Sequence, residues 1–253
     1  MHPVIRLVNR NLTITLNPGF LTWQIIFPLI YIFIAGYAYT SLIDTVPFFG
    51  KNISYPAFLA TGMIGFNIMN STLISGIIIW TDKRNGMFAQ ILSGPFTKTH
   101  YILANVTTIG IVGMGSALLI GVIALPVFAE SIVLDTFSIP ILIFVTITGS
   151  ITFGSIATMI STKLKTSEGF NIIINTVFLF FAFVSTAFYP AQGAPEPLAT
   201  LFYLNPLTHV VDVIRAGLFN SITEFTILQM IILAVLAITC FTLALQLLRK
   251  MDF

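Results

Sequence analysis

Six stretches of this chain run the thickness of a membrane without a Lys, Arg, Asp, Glu or His: Phe20–Ile43, Pro56–Trp80, Tyr101–Val127, Phe137–Ser161, Phe170–Phe188 and Phe225–Leu248. About 20 apolar residues in a helix cross the ~30 Å hydrocarbon core of a bilayer. Inside that core a chain must satisfy its own backbone polar groups, and helices do so within one segment. The predicted fold class is therefore an all-α integral membrane protein with six transmembrane helices, one domain over residues 1–253. With 57% hydrophobic and 8% charged residues, against about 25% charged in soluble domains, little chain is left for anything else. The first stretch is too long for the apolar region of a cleaved signal peptide and is expected to remain as an anchor.

Basic residues orient the bundle. Arg6, Arg10, Lys83, Arg84, Lys98, Lys163, Lys165, Arg249 and Lys250 fall on one side of the predicted crossings, and only Lys51 and Arg215 on the other. Positive charge accumulates on the cytoplasmic side, so both termini are expected inside. Asp44, Glu130, Asp135, Glu196, Asp212 and Glu224 all fall outside. Residues 2–17 read as an amphipathic helix lying on the membrane, with Ile5, Val8, Leu12 and Leu16 on one face and Asn17-Pro18-Gly19 as its stop. Pro28 is expected to kink the first crossing. Small residues at helix-packing spacing, Gly113, Ala117 and Gly121 in the third crossing and Ser150, Gly154 and Thr158 in the fourth, predict close helix contacts.

Several chemistries are excluded. No crossing holds an ionisable group, which argues against a proton-coupled carrier, a carboxylate-filtered cation channel and an intramembrane hydrolase. No G-x-x-x-x-G-K-[ST] phosphate loop, metal-ligand spacing, nucleophile–base set or basic aromatic patch for nucleic acid occurs. His2, His100 and His209 are isolated in sequence, and Cys240 has no partner for a disulfide. Asn67, Asn70, Asn105, Asn171 and Asn175 are the most polar groups in or near the crossings; two readings stand, contact with a cargo and interhelical hydrogen bonding.

Two polar stretches remain. In the island Thr81–His100, Met87, Phe88, Ile91 and Leu92 make one apolar face of a short helix that Ser93-Gly94-Pro95 stops. That is more pattern than topology requires, and it suggests a surface held against a cytoplasmic partner. Between the fifth and sixth crossings, a Pro-rich turn from Tyr189 and Pro190 through Gln192 and Gly193 precedes apolar Leu198, Leu201, Phe202 and Leu204. Asn205 can then cap a helix with Pro206 at its first position, and Asp212 and Arg215 stand at i, i+3 to pair. A re-entrant hairpin carrying an ion pair points to an outer gate or plug. Ser221-Ile222-Thr223-Glu224 reads as a capping box for the last crossing.

With Arg84-Asn85-Gly86-Met87-Phe88, Ile91-Leu92-Ser93-Gly94-Pro95, Pro190 and Leu204-Asn205-Pro206-Leu207-Thr208…Asp212…Arg215 in this order, the chain resembles the ABC-2 type export permeases over its full length. Gln90 stands where that family often has an acidic residue. The resemblance implies a separate ABC ATPase that binds ATP and Mg, no cofactor in this chain, two permease chains, a homodimer before a heterodimer, and export across the cell membrane by alternating access. It assigns ATPase coupling to Asp82, Arg84, Gly86, Met87, Phe88, Ile91 and Leu92, and an external gate to Pro190, Asn205, Pro206, Asp212 and Arg215 within 189–217. Asn67, Asn70, Asn171 and Asn175 become candidate cavity-lining groups. The Asn-Pro-Leu-Thr-His segment looks most like the drug and lipo-oligosaccharide branch. Two other classes compete: a gradient-driven carrier or channel, and a structural or enzymatic membrane subunit for which Asp212 and Glu224 are the only acid candidates.

Overall fold

A computed structural model describes residues 2–40, 43–191 and 194–250. Ser41 and Leu42 of the predicted first crossing, and Gln192 and Gly193 of the Pro-rich turn, lie outside the described residues. Helix follows apolar sequence closely: α1 Pro3–Thr15, α2 Pro18–Leu29, a π-helical segment Ile30–Ala35 that runs into α3 Gly36–Ala38, α4 Tyr55–Arg84, α5 Met87–Ser93, α6 Lys98–Phe128, α7 Ser138–Lys163, α8 Ser167–Phe183, α9 Glu196–Leu204, α10 Pro206–Leu218 and α11 Glu224–Arg249. Five of these runs, from Pro18–Ala38 to Glu224–Arg249, are long and apolar enough to cross a membrane, and Glu168–Phe183 is a shorter apolar helix. The molecule is thus a helical membrane protein.

The bundle is organised around α4. Of its most apolar window 89% is buried, against 22% in both Pro18–Ala38 and α11, so α4 is the protein-filled centre and the flanking helices present their apolar faces outward. Two observations explain how neighbours come so close. Gly62 of α4 faces the Ala187 carbonyl, where an added Cβ would lie 2.0 Å from the oxygen. Gly113 of α6 faces Ser150 of α7, where it would lie 1.9 Å from Oγ. Gly121, expected in the same packing stripe as Gly113, has nothing within 4 Å of that position; with Ala117 it instead lines an apolar cavity of about 350 Å³ between α6, α7 and α10.

Three expectations change. Helix α8 stops at Phe183, short of the predicted Phe188, and Val184–Phe188 continues as buried irregular backbone. The broken helix is tolerated because hydrogen bonds replace the lost ladder: the Asn205 side-chain amide donates to the Phe181 carbonyl at 2.9 Å and to that of Val184, and the Thr186 N–H donates to Thr208 Oγ1 at 3.3 Å. The capping box of α11 sits two residues later than predicted, with Thr223 and Thr226 exchanging bonds. The disturbance at Pro28 takes the form of the π-helical segment behind it. Unanticipated is a β-hairpin, β1 Thr45–Phe48 paired antiparallel with β2 Lys51–Ser54.

Candidate functional site

Helix α1 is fastened along α6. Its inward stripe is Leu7, Asn11 and Thr15, at i, i+4 and i+8; Ile5 and Leu16, on the face expected to lie on the membrane, are exposed on the protein surface. The polar member of that stripe meets α6, with Asn11 Nδ2 donating to Asn105 Oδ1 at 3.4 Å. Beside it, Arg10 forks onto Asp82 at the end of α4: Nη1 donates to Oδ2 at 2.8 Å and Nη2 to Oδ1. The Tyr101 hydroxyl adds a third bond to Oδ2 at 3.0 Å. The hydrogen bonds to Asp82 raise the Arg10 pKa, outweighing the burial that would lower it. Asp82 is therefore sealed inside, on Arg10 and Tyr101, rather than turned to a partner.

The short helix after it divides its apolar residues. Gly86 takes φ 69°, the left-handed conformation in which glycine carries no Cβ penalty, and the chain reverses from α4 into α5. Phe88 and Ile91 turn inward onto Leu7, Tyr101 and Ile102, with Leu92 packed at their edge; the Phe88 and Tyr101 rings meet edge-on at 5.0 Å. Met87, Ala89, Gln90 and Ser93 remain exposed. Lys83 donates to the Thr162 carbonyl at 2.8 Å, at the end of α7, and the Arg84 guanidinium lies over Trp80. The predicted four-residue face is thus a buried anchor, Phe88 and Ile91, backing an outward edge that runs from Met87 to Ser93.

At the opposite end, α10 is buried along nearly its whole length. Asn205 caps it, accepting from the Leu207 N–H at 2.9 Å, and Pro206 takes the first position. Arg215 Nη1 donates to Asp212 Oδ1 at 3.3 Å, Nη2 to the Phe58 carbonyl at 3.0 Å and Nε to Thr61 Oγ1 at 3.2 Å. Asp212 also accepts from Thr186 on Oδ1 at 2.9 Å and from Gln229 on Oδ2 at 3.1 Å. One ion pair thereby joins α4, α10, α11 and the irregular segment after α8. Phe58, Thr61, Thr186 and Gln229 carry no local signal of this role. Pro190 ends the irregular segment, partly buried.

The asparagines do not converge. Asn67 and Asn70 are buried in α4, the Asn67 amide without a hydrogen-bond partner. Asn171 and Asn175 lie one turn apart on the exposed side of α8, where Asn175 donates to the Asn171 carbonyl at 2.8 Å. Among the described residues no group of three or more His, Cys, Asp or Glu could hold a metal ion.

Comparison with known proteins agrees with this architecture. The chain is 28% identical over 211 residues to the ycf38 protein of Porphyra purpurea, a transport permease by name, covering 83% of this chain and 71% of that one. Its counterpart in Pyropia yezoensis is 27% identical over 197 residues, 78% of this chain and 66% of that one. The family model for ABC-2 type transporters matches residues 4–219, from the second residue of α1 through the end of α10, so that nearly all of α1, the α4–α5 corner and the buried ion pair fall inside it. The chain belongs to the ABC-2 type transporter family, as a membrane-embedded permease.

Proposed function

We propose that this permease is the membrane subunit of an ATP-driven exporter in the cytoplasmic cell membrane, with ATP and Mg bound on a separate ABC ATPase. The observation that carries the reading is the α4–α5 corner. A short helix projects at the end of the molecule richest in Lys and Arg; its inner face is bolted to α1 and α6 through Phe88 and Ile91, and the Arg10–Asp82–Tyr101 cluster ties the same two helices to the end of α4. A push on the Met87–Ser93 edge therefore reaches α4, the centre of the bundle, without first bending a loop.

Six crossings follow if α8 and the irregular segment Val184–Phe188 together make the fifth, with both termini cytoplasmic and α9 and α10 as the re-entrant pair on the outside. An aromatic cleft of about 400 Å³ between the π-helical segment behind α2, the start of α4 and the end of α8, lined by Ile30, Tyr31, Tyr39, Tyr55, Phe183 and Phe188, suits amphipathic cargo such as a drug, a lipid or a lipid-linked glycan. The exposed faces of α2 and α8 on either side of it are the surfaces for a second permease chain, identical in the simplest assembly.

The test is co-purification with an ABC ATPase from the same organism, followed by ATP turnover and transport in liposomes. Replacing Met87 and Gln90 together by Ala should uncouple hydrolysis from transport while the permease stays folded. Full coupling in that variant, or transport by the permease alone down a gradient, would overturn the reading.

A further inference from the structure

At the end of the molecule away from α5, the β-hairpin roofs a cavity of about 210 Å³ whose lining includes Phe48, Phe49, Tyr203 and Phe225 above and Asp212 and Arg215 below. The rings are in contact: Phe48 with Phe49 at 4.7 Å, Phe49 with Phe225 at 5.9 Å and Tyr203 with Phe225 at 6.1 Å between centroids. We propose that this aromatic pocket is a binding site for a small organic cation, seated among the rings and held by the Asp212 carboxylate.

The two charges of the floor are not equally available. Arg215 spends its guanidinium on Asp212, the Phe58 carbonyl and Thr61, and its carbon lies 3.6 Å from the centre of the Phe58 ring, which covers it. Its side chain is 1% exposed, whereas that of Asp212 is 11% exposed. What the pair shows to the cavity is thus its anionic partner. Oδ1 already accepts from Arg215 and Thr186, but Oδ2 accepts only from Gln229 and a carboxylate oxygen has capacity for a second donor. Lys51, the other cation at this end, is engaged by the carbonyls of Phe219 and Asn220. A carboxylate below and π-faces around is the arrangement that recognises ammonium groups.

The roof carries a second sign of purpose. Phe49 and Gly50 form the two-residue turn of the hairpin with φ 41° and 82°. Positive φ at both positions suits Asn-Gly or Asp-Gly, and a bulky aromatic there is held in a costly conformation. Its ring lies on Phe48 and Phe225, so the strained residue is one that builds the pocket wall. A cation in this place would tie the hairpin to α4, α10 and α11 through one ligand.

The test is equilibrium binding of benzyltrimethylammonium to the full chain in lipid nanodiscs, compared with neopentylbenzene, which has the same shape without the charge, and benzenesulfonate, an anion of similar size. The cation should bind saturably, the neutral isostere at least about tenfold more weakly and the sulfonate not at all. Phe225→Leu and Tyr203→Leu, which keep apolar volume and remove a π-face, should each weaken the cation severalfold and leave the neutral compound unchanged. Asp212→Asn should abolish the preference for charge; because it also opens a buried network, the two rim variants decide. Equal affinity for cation and neutral isostere, preference for the sulfonate, no saturable binding of the cation, or undiminished cation binding in both rim variants would each overturn the proposal.

Discussion

The two ends of α4 are held by ion pairs of opposite exposure. At the α5 end Asp82 is sealed, its side chain 3% exposed, while Arg10 keeps 25% of its surface. At the hairpin end Arg215 is sealed and Asp212 is the partner with surface left. In each pair one member is sealed and the other, Arg10 at one end and the nearly buried Asp212 at the other, keeps some surface, so the less buried charge is of opposite sign at the two ends. The energetic consequence differs too. Arg10 remains within reach of water and salt, so its attraction is partly screened. Arg215 has only protein around it, and a guanidinium left unpaired there would be costly.

Variants at the two ends should separate accordingly. Arg215→Met leaves Asp212 buried without its counter-charge and is expected to cost about 3–5 kcal/mol, read as a fall in thermal midpoint of the lipid-reconstituted protein that salt does not alter; an unchanged midpoint would remove the hairpin-end staple from the account. Gly62→Ala comes next. Its new methyl would meet the Ala187 carbonyl, at an expected cost of about 1–3 kcal/mol, whereas Gly121→Ala, with open space around it, should stay within about 0.5 kcal/mol of the parent. Similar losses at both glycines would show that close packing at the irregular segment contributes nothing special. Arg10→Ala should cost about 1–2 kcal/mol, with a deficit that shrinks in high salt and a loss of cross-linking between cysteines placed on the facing surfaces of α1 and α6. A salt-independent deficit would make the two ends alike. Met87→Ala should be the mildest for folding, within about 0.5 kcal/mol, yet it should lower ATPase coupling severalfold; unaltered coupling would take the outward edge of α5 out of the mechanism.

Much of the architecture was legible before any coordinates. Long uncharged runs predicted four of the five long helices to within four residues at every end, because burial of apolar length is a property of each segment alone. Asn205-Pro206 predicted the start of α10, since a cap and a first-turn proline act on their own backbone, and Asp212 and Arg215 pair across one helical turn as their spacing required. The candidate sites were legible only as stretches. The spacing of the island carries an apolar face, but nothing in it tells that Phe88 and Ile91 turn inward and Met87 outward. In the sequence Asp82 stands among charged neighbours, although two partners, Arg10 of α1 and Tyr101 of α6, enclose it.

What the sequence determined by itself was therefore local: which segments are helical and apolar enough for a membrane, and where caps and breakers stop them. The tertiary structure alone decided which face of each helix is buried, that α8 yields to irregular backbone at Phe183, and that a hairpin closes an aromatic pocket over Asp212. The reason is separation along the chain. Arg10 and Asp82 lie 72 residues apart and Arg215 and Thr61 lie 154 apart, so these contacts form only once the bundle has assembled, and no local free energy announces them.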